Sequence, residues 1–410
     1  MRPLGISHCT VAIRDAMSHR PHALMSLAYL IMLCAGVGTG GLWPVYLREL
    51  GAGPMEVGIM NAVSGPSNLV GTLLCGWLTD RFRRRRETFI FSCCLFAITW
   101  VFMSRATTWQ QLTALNLLCG FCFGMCTNMI LILTGLLAEA SSRGRRFGVL
   151  TFVSSLSLLI TGLLWGPIAD RWDFPTLLHI DAILCAACAI LGYFFTEPPL
   201  APTTARAAGQ RAGQEGGLGL SYYCLLAAML FASLANYGAG FGRSVAMSQQ
   251  GFSATAVGLT TAIGGAIGLP VALVLGGLSD RIGRKRLLIL CYGTGLFALP
   301  AIGFSSTAWG FWGASVLLGV MSTYQPLQQA LATDMLPRDL VGRGLALLGS
   351  TNAISILTGS VLVGAAFQGL GARTTFLLWT IAPLAAIALL SQVREPGRAV
   401  ETAAGERMSG

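Results

Sequence analysis

Two short segments 200 residues apart carry the densest charge chemistry in the chain. One runs Gly76-Trp-Leu-Thr-Asp80-Arg81-Phe-Arg-Arg84-Arg-Arg86, the other Gly276-Gly-Leu-Ser-Asp280-Arg281-Ile-Gly-Arg284-Lys-Arg286. A carboxylate at the C-terminal end of a helix faces the negative pole of the macrodipole and is disfavoured unless a positive group or another helix's N-terminus stands opposite. The pattern suits a latch between helix ends, with Gly76 and Gly276 small enough to permit close approach. Arginines that only fix membrane orientation would explain the cations but not the repeated Gly and Asp. Nothing comparable suggests catalysis. No Ser, His and Asp set and no carboxylate pair converges within the apolar segments, and the four His include His8, His19 and His22 near the N-terminus. The chain has no G-x-x-x-x-G-K-[ST] phosphate loop. No enzymatic activity and no cofactor are expected. Cys119, Cys122 and Cys126, with Met125 and Met129, recur at helical spacing and are soft ligands of the kind that suits Cu(I). Without a His cluster they read as apolar filling, as do Cys185 and Cys188, so no metal site is expected.

The elements that hold these residues are set by composition. Apolar residues make up 54% of the 410 and charged ones only 11%, with a mean hydropathy of +0.67. Lipid is the solvent such a chain suits. Runs of about 20 apolar residues, the length a helix needs to cross roughly 30 Å of hydrocarbon, follow one another with short breaks. Twelve are expected, near 23–47, 57–79, 88–104, 111–136, 148–168, 175–196, 221–247, 255–278, 287–305, 309–333, 344–369 and 373–393. A β-barrel would need alternating strands, which segments such as Leu112 to Leu137 do not supply. The 51 glycines suit close helix packing in lipid. The first apolar segment is too long for a signal peptide and reads as helix 1. The net charge of +10 does not point to nucleic acid: all but Arg48, Arg105, Arg171, Arg243 and Arg373 of the 27 Lys and Arg fall on one side of the spans. The positive-inside rule therefore places both termini in the cytoplasm.

At an offset of 200 residues the chain repeats itself. Gly51, Val57, Gly58, Gly76, Asp80 and Arg81 recur as Gly251, Val257, Gly258, Gly276, Asp280 and Arg281, and Trp109, Arg143, Gly144, Thr151 and Ser155 as Trp309, Arg343, Gly344, Thr351 and Ser355. Two six-helix halves in the same orientation should be related by an axis along the membrane normal. The expected division is a cytoplasmic N-tail at 1–22, the first half at 23–196, a cytoplasmic linker at 197–220, the second half at 221–393 and a cytoplasmic C-tail at 394–410.

The paired G-x-L-[TS]-D-R-x-x-R-[RK]-R segments resemble the loop motif of the major facilitator superfamily, and the similarity covers about residues 23 to 393. The resemblance implies a transporter in which the halves rock about a central cavity lined by the first, fourth, seventh and tenth helices. The polar residues on those helices, Asn116 and Asn128, Asn236, Tyr237 and Arg243, and Tyr324, Gln325 and Gln328, are then candidate solute contacts. Arg243 has Trp43 as its repeat partner and reads as an arginine reaching the outer interface; pairing with an anionic group of the solute is the competing reading. Gly162-x-x-x-Gly166-Pro167 resembles the core of a motif associated with antiporters, although Ala169-Asp170 replaces its glycine pair. Ordinary small-residue packing explains it equally well. Many proton-coupled members carry an Arg where this chain has Asn116. Asp181 and His179, in the outer half of helix 6, read as solvated, proton carriage by a buried Asp181 being the competing reading, and Glu139 and Asp334 read as partners of the arginines at the inner face.

The expectation is a monomeric secondary active transporter of a small organic solute in the cytoplasmic (inner) membrane, leaning to proton-coupled efflux. Partners would be the solute, protons and the lipid bilayer. Uptake or uniport of an organic anion is the alternative; soft-metal transport and a non-transporting sensor rank lower.

Overall fold

The computed structural model describes residues 22–82, 84–137, 143–195, 220–336 and 341–393; within them the side chains at 79–80, 82, 143–145, 147, 272–273, 275–277, 279–281 and 341–346 lie outside the description. The N-tail at 1–21, the linker at 196–219, Glu139 and the C-tail from residue 394 also lie outside the described residues.

All regular structure among the described residues is helical, in twelve spans. Helix α1 runs His22–Glu49. Then follow α2 Pro54–Phe82, α3 Arg85–Met103, α4 Trp109–Leu137, α5 Arg143–Trp172 and α6 Phe174–Tyr193, which complete the first half. The second half has α7 Leu220–Gln249, α8 Ala254–Ile282, α9 Arg284–Phe304 and α10, which is broken at Thr323 into Ala308–Ser322 and Tyr324–Met335. The stretch Val341–Trp379 turns at Gly371, where φ is 75°, and this divides α11 (341–370) from α12, which continues in Ile381–Gln392. At 29 and 30 residues, α2 and α5 extend beyond the expected spans. A helix of that length reaches about 45 Å, past the roughly 30 Å of hydrocarbon, because backbone hydrogen bonding continues where apolar side chains stop.

Large apolar side chains face outward, among them Leu73, Phe91, Ile183 and Phe297, the last 71% exposed. Such a surface is stable against lipid and not against water. Trp100, Phe89, Phe96, Phe311 and Phe376 fill the interior. Within the first half α2 packs along α4 and α3 along α6; within the second, α7 packs on α11 and α12, and α9 on α10. Between the halves, α5 lies along α8 and α2 along α11.

The sequence repeat is also a geometric repeat. Helix α1 ends at Gly51 with φ 77° and α7 at Gly251 with φ 80°. Ala52 N donates to Leu47 O at 2.9 Å, and its equivalent Phe252 N to Met247 O at 3.1 Å. These are the same glycine-capped helix ends, in which the chain reverses through a left-handed residue. They mark the distal end of the bundle. The opposite, linker end carries the Phe82 to Arg85 and Ile282 to Arg284 connections. Nothing lies within 4 Å of a Cβ built at Gly51 or Gly251, so a substitution there meets backbone strain alone. Gly51→Ala and Gly251→Ala should each cost about 1 kcal/mol, with a smaller loss for Asn, which tolerates this conformation. Melting of the detergent-purified variants tests this; melting temperatures equal to the parent's for both Ala variants would contradict it.

Candidate functional site

The polar contacts that join the halves gather at the distal end. Arg48 on α1 donates to Ser248 O on α7, its own equivalent in the repeat, and Ser248 Oγ returns a bond to Pro44 O at 2.7 Å. Asn61 Nδ2 on α2 donates to Ser360 Oγ on α11 at 2.6 Å. On the other seam Asp170, near the distal end of α5, accepts from Ala254 N at 2.9 Å and Thr255 N at 2.7 Å, the first two backbone donors of α8. Ala256 N donates to Ser253 Oγ at 3.3 Å and Val257 N to Ser253 O at 3.2 Å, so the N-terminal donors of α8 are satisfied, two of them by a carboxylate from the other half. Gly162 and Gly166 make this seam possible: a Cβ at Gly162 would lie 2.2 Å from Ala262 N, and one at Gly166 2.6 Å from Ala254 O. Pro167 sits inside the same helix. The seam on α2 and α11 lacks such a cap, because Pro54 stands where the second half has Ala254 and Leu370 where the first has Asp170.

At the linker end the two ion pairs between described residues each lie within one half. Arg84 pairs with Glu87 at 3.1 Å on its own helix. Arg284 pairs with Asp334 on α10, as expected, and donates to Ala330 O at 2.8 Å. Arg81 is exposed. Nothing among the described residues lies within 4 Å of a Cβ built at Gly76. The Asp80, Asp280 and Arg281 side chains and Gly276 lie outside the description. The polar contacts described between the halves are therefore those toward the distal end.

The candidate solute contacts separate into two groups. Asn116 is buried with its Nδ2 on Met60 O at 2.7 Å, and Asn128 donates to Thr72 O at 3.2 Å, so both brace α4 against α2. Tyr324 and Gln328 are buried inside the second half: Tyr324 Oη donates to Ser233 Oγ at 3.3 Å, and Gln328 Nε2 to Tyr292 Oη at 2.6 Å. Ser233 Oγ in turn reaches Asn352 Oδ1 at 3.0 Å, which links α7, α9, α10 and α11 through polar atoms. Asn236, Tyr237 and Gln325 are half-buried, with the Tyr237 hydroxyl against the Gln325 side chain. None of the candidates lines the cavity of about 380 Å³ near His22, Thr134 and Arg146 or that of about 340 Å³ near Pro44, Arg48 and Ser248.

Two expectations about charge are overturned by burial. Arg243 does not reach the interface: it is 7% exposed, its Nη1 donates to Ser315 Oγ on α10 at 3.0 Å, and its Nε is buried without a partner. Among the described residues no carboxylate pairs with it. Asp181 is not solvated but wholly buried, accepting from Thr39 Oγ1 on α1 and from Trp165 Nε1 on α5 at 3.0 Å. His179 points elsewhere, to Pro175 O at 2.7 Å and Ser104 Oγ at 3.2 Å. Helix α6 packs against the irregular part of α1, a contact hydropathy does not register. The cysteines of α4 are buried, and Cys126 Sγ lies 3.7 Å from Cys93 Sγ on α3. Among the described residues no three metal-ligating side chains converge.

Asp170→Ala should remove both bonds to the α8 N-terminus. A cap of about 1 kcal/mol corresponds to a roughly fivefold shift toward a distally open bundle. Spin labels on the 50–53 and 250–253 turns report that shift; a distance distribution equal to the parent's would refute the fastening role.

The family model described as Major Facilitator Superfamily matches residues 25–219 and 223–408. The chain is 23% identical over 346 residues to the multidrug resistance protein MdtG of Citrobacter koseri, covering 81% of this chain and 84% of that protein. It is 24% identical over 349 residues to MdtG of Proteus mirabilis, covering 81% and 85%. Among solved structures it resembles a D-xylose-proton symporter, with a TM-score of 0.73 at 18% identity over 91% of this chain and 97% of that one. It also resembles a POT family transporter in complex with 5-aminolevulinic acid, with a TM-score of 0.76 at 13% identity over 91% and 96%. With the duplicated loop motif, the twelve helices and the two-half arrangement already in place, these likenesses make the chain a member of the major facilitator superfamily, a membrane transporter and not an enzyme.

Proposed function

We propose that this transporter carries a small organic solute out across the cytoplasmic membrane by alternating access, in exchange for protons, with both termini cytoplasmic. The observation that carries the reading is the set of hydrogen bonds that joins the halves toward the distal end. With the termini inside, those contacts close the outer side, and solute would enter from the cytoplasm once the linker end opens. Opening to the other side requires breaking the Arg48–Ser248, Asn61–Ser360 and Asp170–α8 contacts, with the Asp80 and Asp280 motifs as the latch of the linker end in that state. Neutral hydrogen bonds net about 1 kcal/mol each and charge-assisted ones somewhat more, so such a seam is reversible at the scale of substrate binding. Efflux is supported by the use of Gly162, Gly166 and Pro167 at the moving seam and by relatives named multidrug resistance proteins. Asn236, Tyr237 and Gln325, half-buried on α7 and α10, are the solute contacts this reading favours; Asn116, Asn128, Tyr324 and Gln328 would hold the helices that present them.

Arg243 favours a second reading, uptake or uniport of an organic anion. A buried guanidinium with an unmet donor and, among the described residues, no carboxylate beside it is suited to an anionic group.

Proteoliposomes loaded with a pH-sensitive dye separate the two. Under the first reading, adding a lipophilic cation such as ethidium drives proton movement against it, and Arg243→Ala changes this less than about threefold. Under the second, a panel of carboxylates moves without proton countertransport, and Arg243→Ala loses at least tenfold, as expected for a charged hydrogen bond of about 1.5–3 kcal/mol. No proton movement with any member of either panel would sink antiport.

A further inference from the structure

Asp181 lies eight residues into α6, about 10 Å from its distal end at ~1.5 Å per residue, and none of its surface is exposed. Each carboxylate oxygen takes one hydrogen bond, from Thr39 and from Trp165. The titratable groups that face it from the packed helices are thiols: Cys34 on α1, Cys119 on α4 and Cys185 on α6. Among the described residues no Lys, Arg or His lies within 4.0 Å of it. The surroundings therefore supply two neutral donors and no counter-charge, an expensive arrangement for a carboxylate at membrane depth.

The donors differ in kind. Indole N–H can only donate, whereas a hydroxyl can donate or accept. When the carboxylate binds a proton from hydronium, giving a carboxylic acid and water, one oxygen gains an O–H that needs an acceptor. Trp165 cannot provide one; Thr39 can, by rotating its hydroxyl. The Thr39 proton must then go elsewhere, and the carbonyl one turn back, Ala35 O, is the usual acceptor for a helical threonine. Thr39 and Ala35 fall in the irregular part of α1, where a π-helical stretch Cys34–Gly38 meets a 3-10 stretch Thr39–Leu42. Protonation at Asp181 thus changes the hydrogen bonding of the one segment of α1 that departs from α-helical geometry, and such departures recur at functional hinges. A Na⁺ ion would need a shell of oxygens, and the Trp165 N–H facing the carboxylate rules against one.

We propose that Asp181 is a proton-binding site and that Thr39 passes its protonation state to the bend in α1. The proposal deepens the antiport reading and rests on it for its role in transport, though the site itself can be tested without a solute. In lipid nanodiscs, infrared spectra recorded as the pH is stepped should show a carboxylic-acid carbonyl band that titrates in the parent protein, is missing in Asp181→Asn, and persists with a shifted frequency in Trp165→Phe. Hydrogen–deuterium exchange of amides 34–42, corrected for the intrinsic pH dependence, should change at least threefold across the same titration. In Thr39→Val, which keeps the side-chain shape and loses the hydroxyl, that response should be flat. Identical band titration in the parent and Asp181→Asn overturns the site. An unchanged α1 response in Thr39→Val overturns the transmission, and this arm stands even if Asp181→Asn does not fold. If both spectroscopic results hold while no solute moves protons in proteoliposomes, antiport fails and Asp181 stands as a pH-sensitive switch.

Discussion

Hydrocarbon offers no hydrogen-bond partner, and almost every feature of this molecule follows from that constraint. Backbone groups are closed within helices, and polar side chains must find partners inside the protein. Asn116 and Asn128 each reach across to a carbonyl of α2, and Trp312 repeats that move in the second half by donating to Ala256 O at 3.2 Å. Serines and threonines fold back onto their own helices, as Ser92 does to Thr88 O at 2.7 Å and Thr161 to Ser157 O at 2.7 Å. Against that background the groups held on weak terms are conspicuous: Arg243 with an unmet Nε, and Asp181 with neutral donors only.

Duplication supplies a symmetric frame, and small departures from it supply a direction. The turns at Gly51 and Gly251 are alike, and the repeat-related residues Arg48 and Ser248 meet each other, as an axis along the membrane normal requires. The two seams between the halves are nevertheless unequal. Proline at position 54 leaves α2 without a donor at its first residue, while Ala254 offers one and Asp170 takes it. One seam is therefore fastened by charge against a helix N-terminus and the other by Asn61 and Ser360. The two halves also differ at the depth of residue 43: Trp43 stacks 6.1 Å from Trp100, whereas its equivalent is the buried Arg243.

These asymmetries bear on how the halves can move. The distal contacts are few and reversible, whereas the interior of each half is densely packed and linked by polar atoms, as in the Ser233, Tyr324, Tyr292 and Gln328 group. Rigid halves rocking about a breakable seam are the economical outcome. Helix α1 is the exception within its half, because its π and 3-10 stretches give it a place to bend beside Asp181.

Composition and pattern determined the class of molecule. Twelve apolar spans, the asymmetric distribution of arginine and the repeat at 200 residues are properties of the chain's transfer energies and turn chemistry, which act locally and survive any rearrangement of helices. The Arg284–Asp334 pairing was legible for the same reason, since both groups sit at helix ends on one face. Which side of each helix faces a neighbour was not legible, because a helix apolar all round has no preferred rotation until it packs. Hence Asn116, Tyr324 and Gln328, which read as solute contacts, turned inward to brace their own halves. Arg243 and Asp181, which read as interfacial, are enclosed. The role of Asp170 depends on α8 beginning beside the end of α5, an approach that Gly162 and Gly166 allow but only the packed bundle brings about.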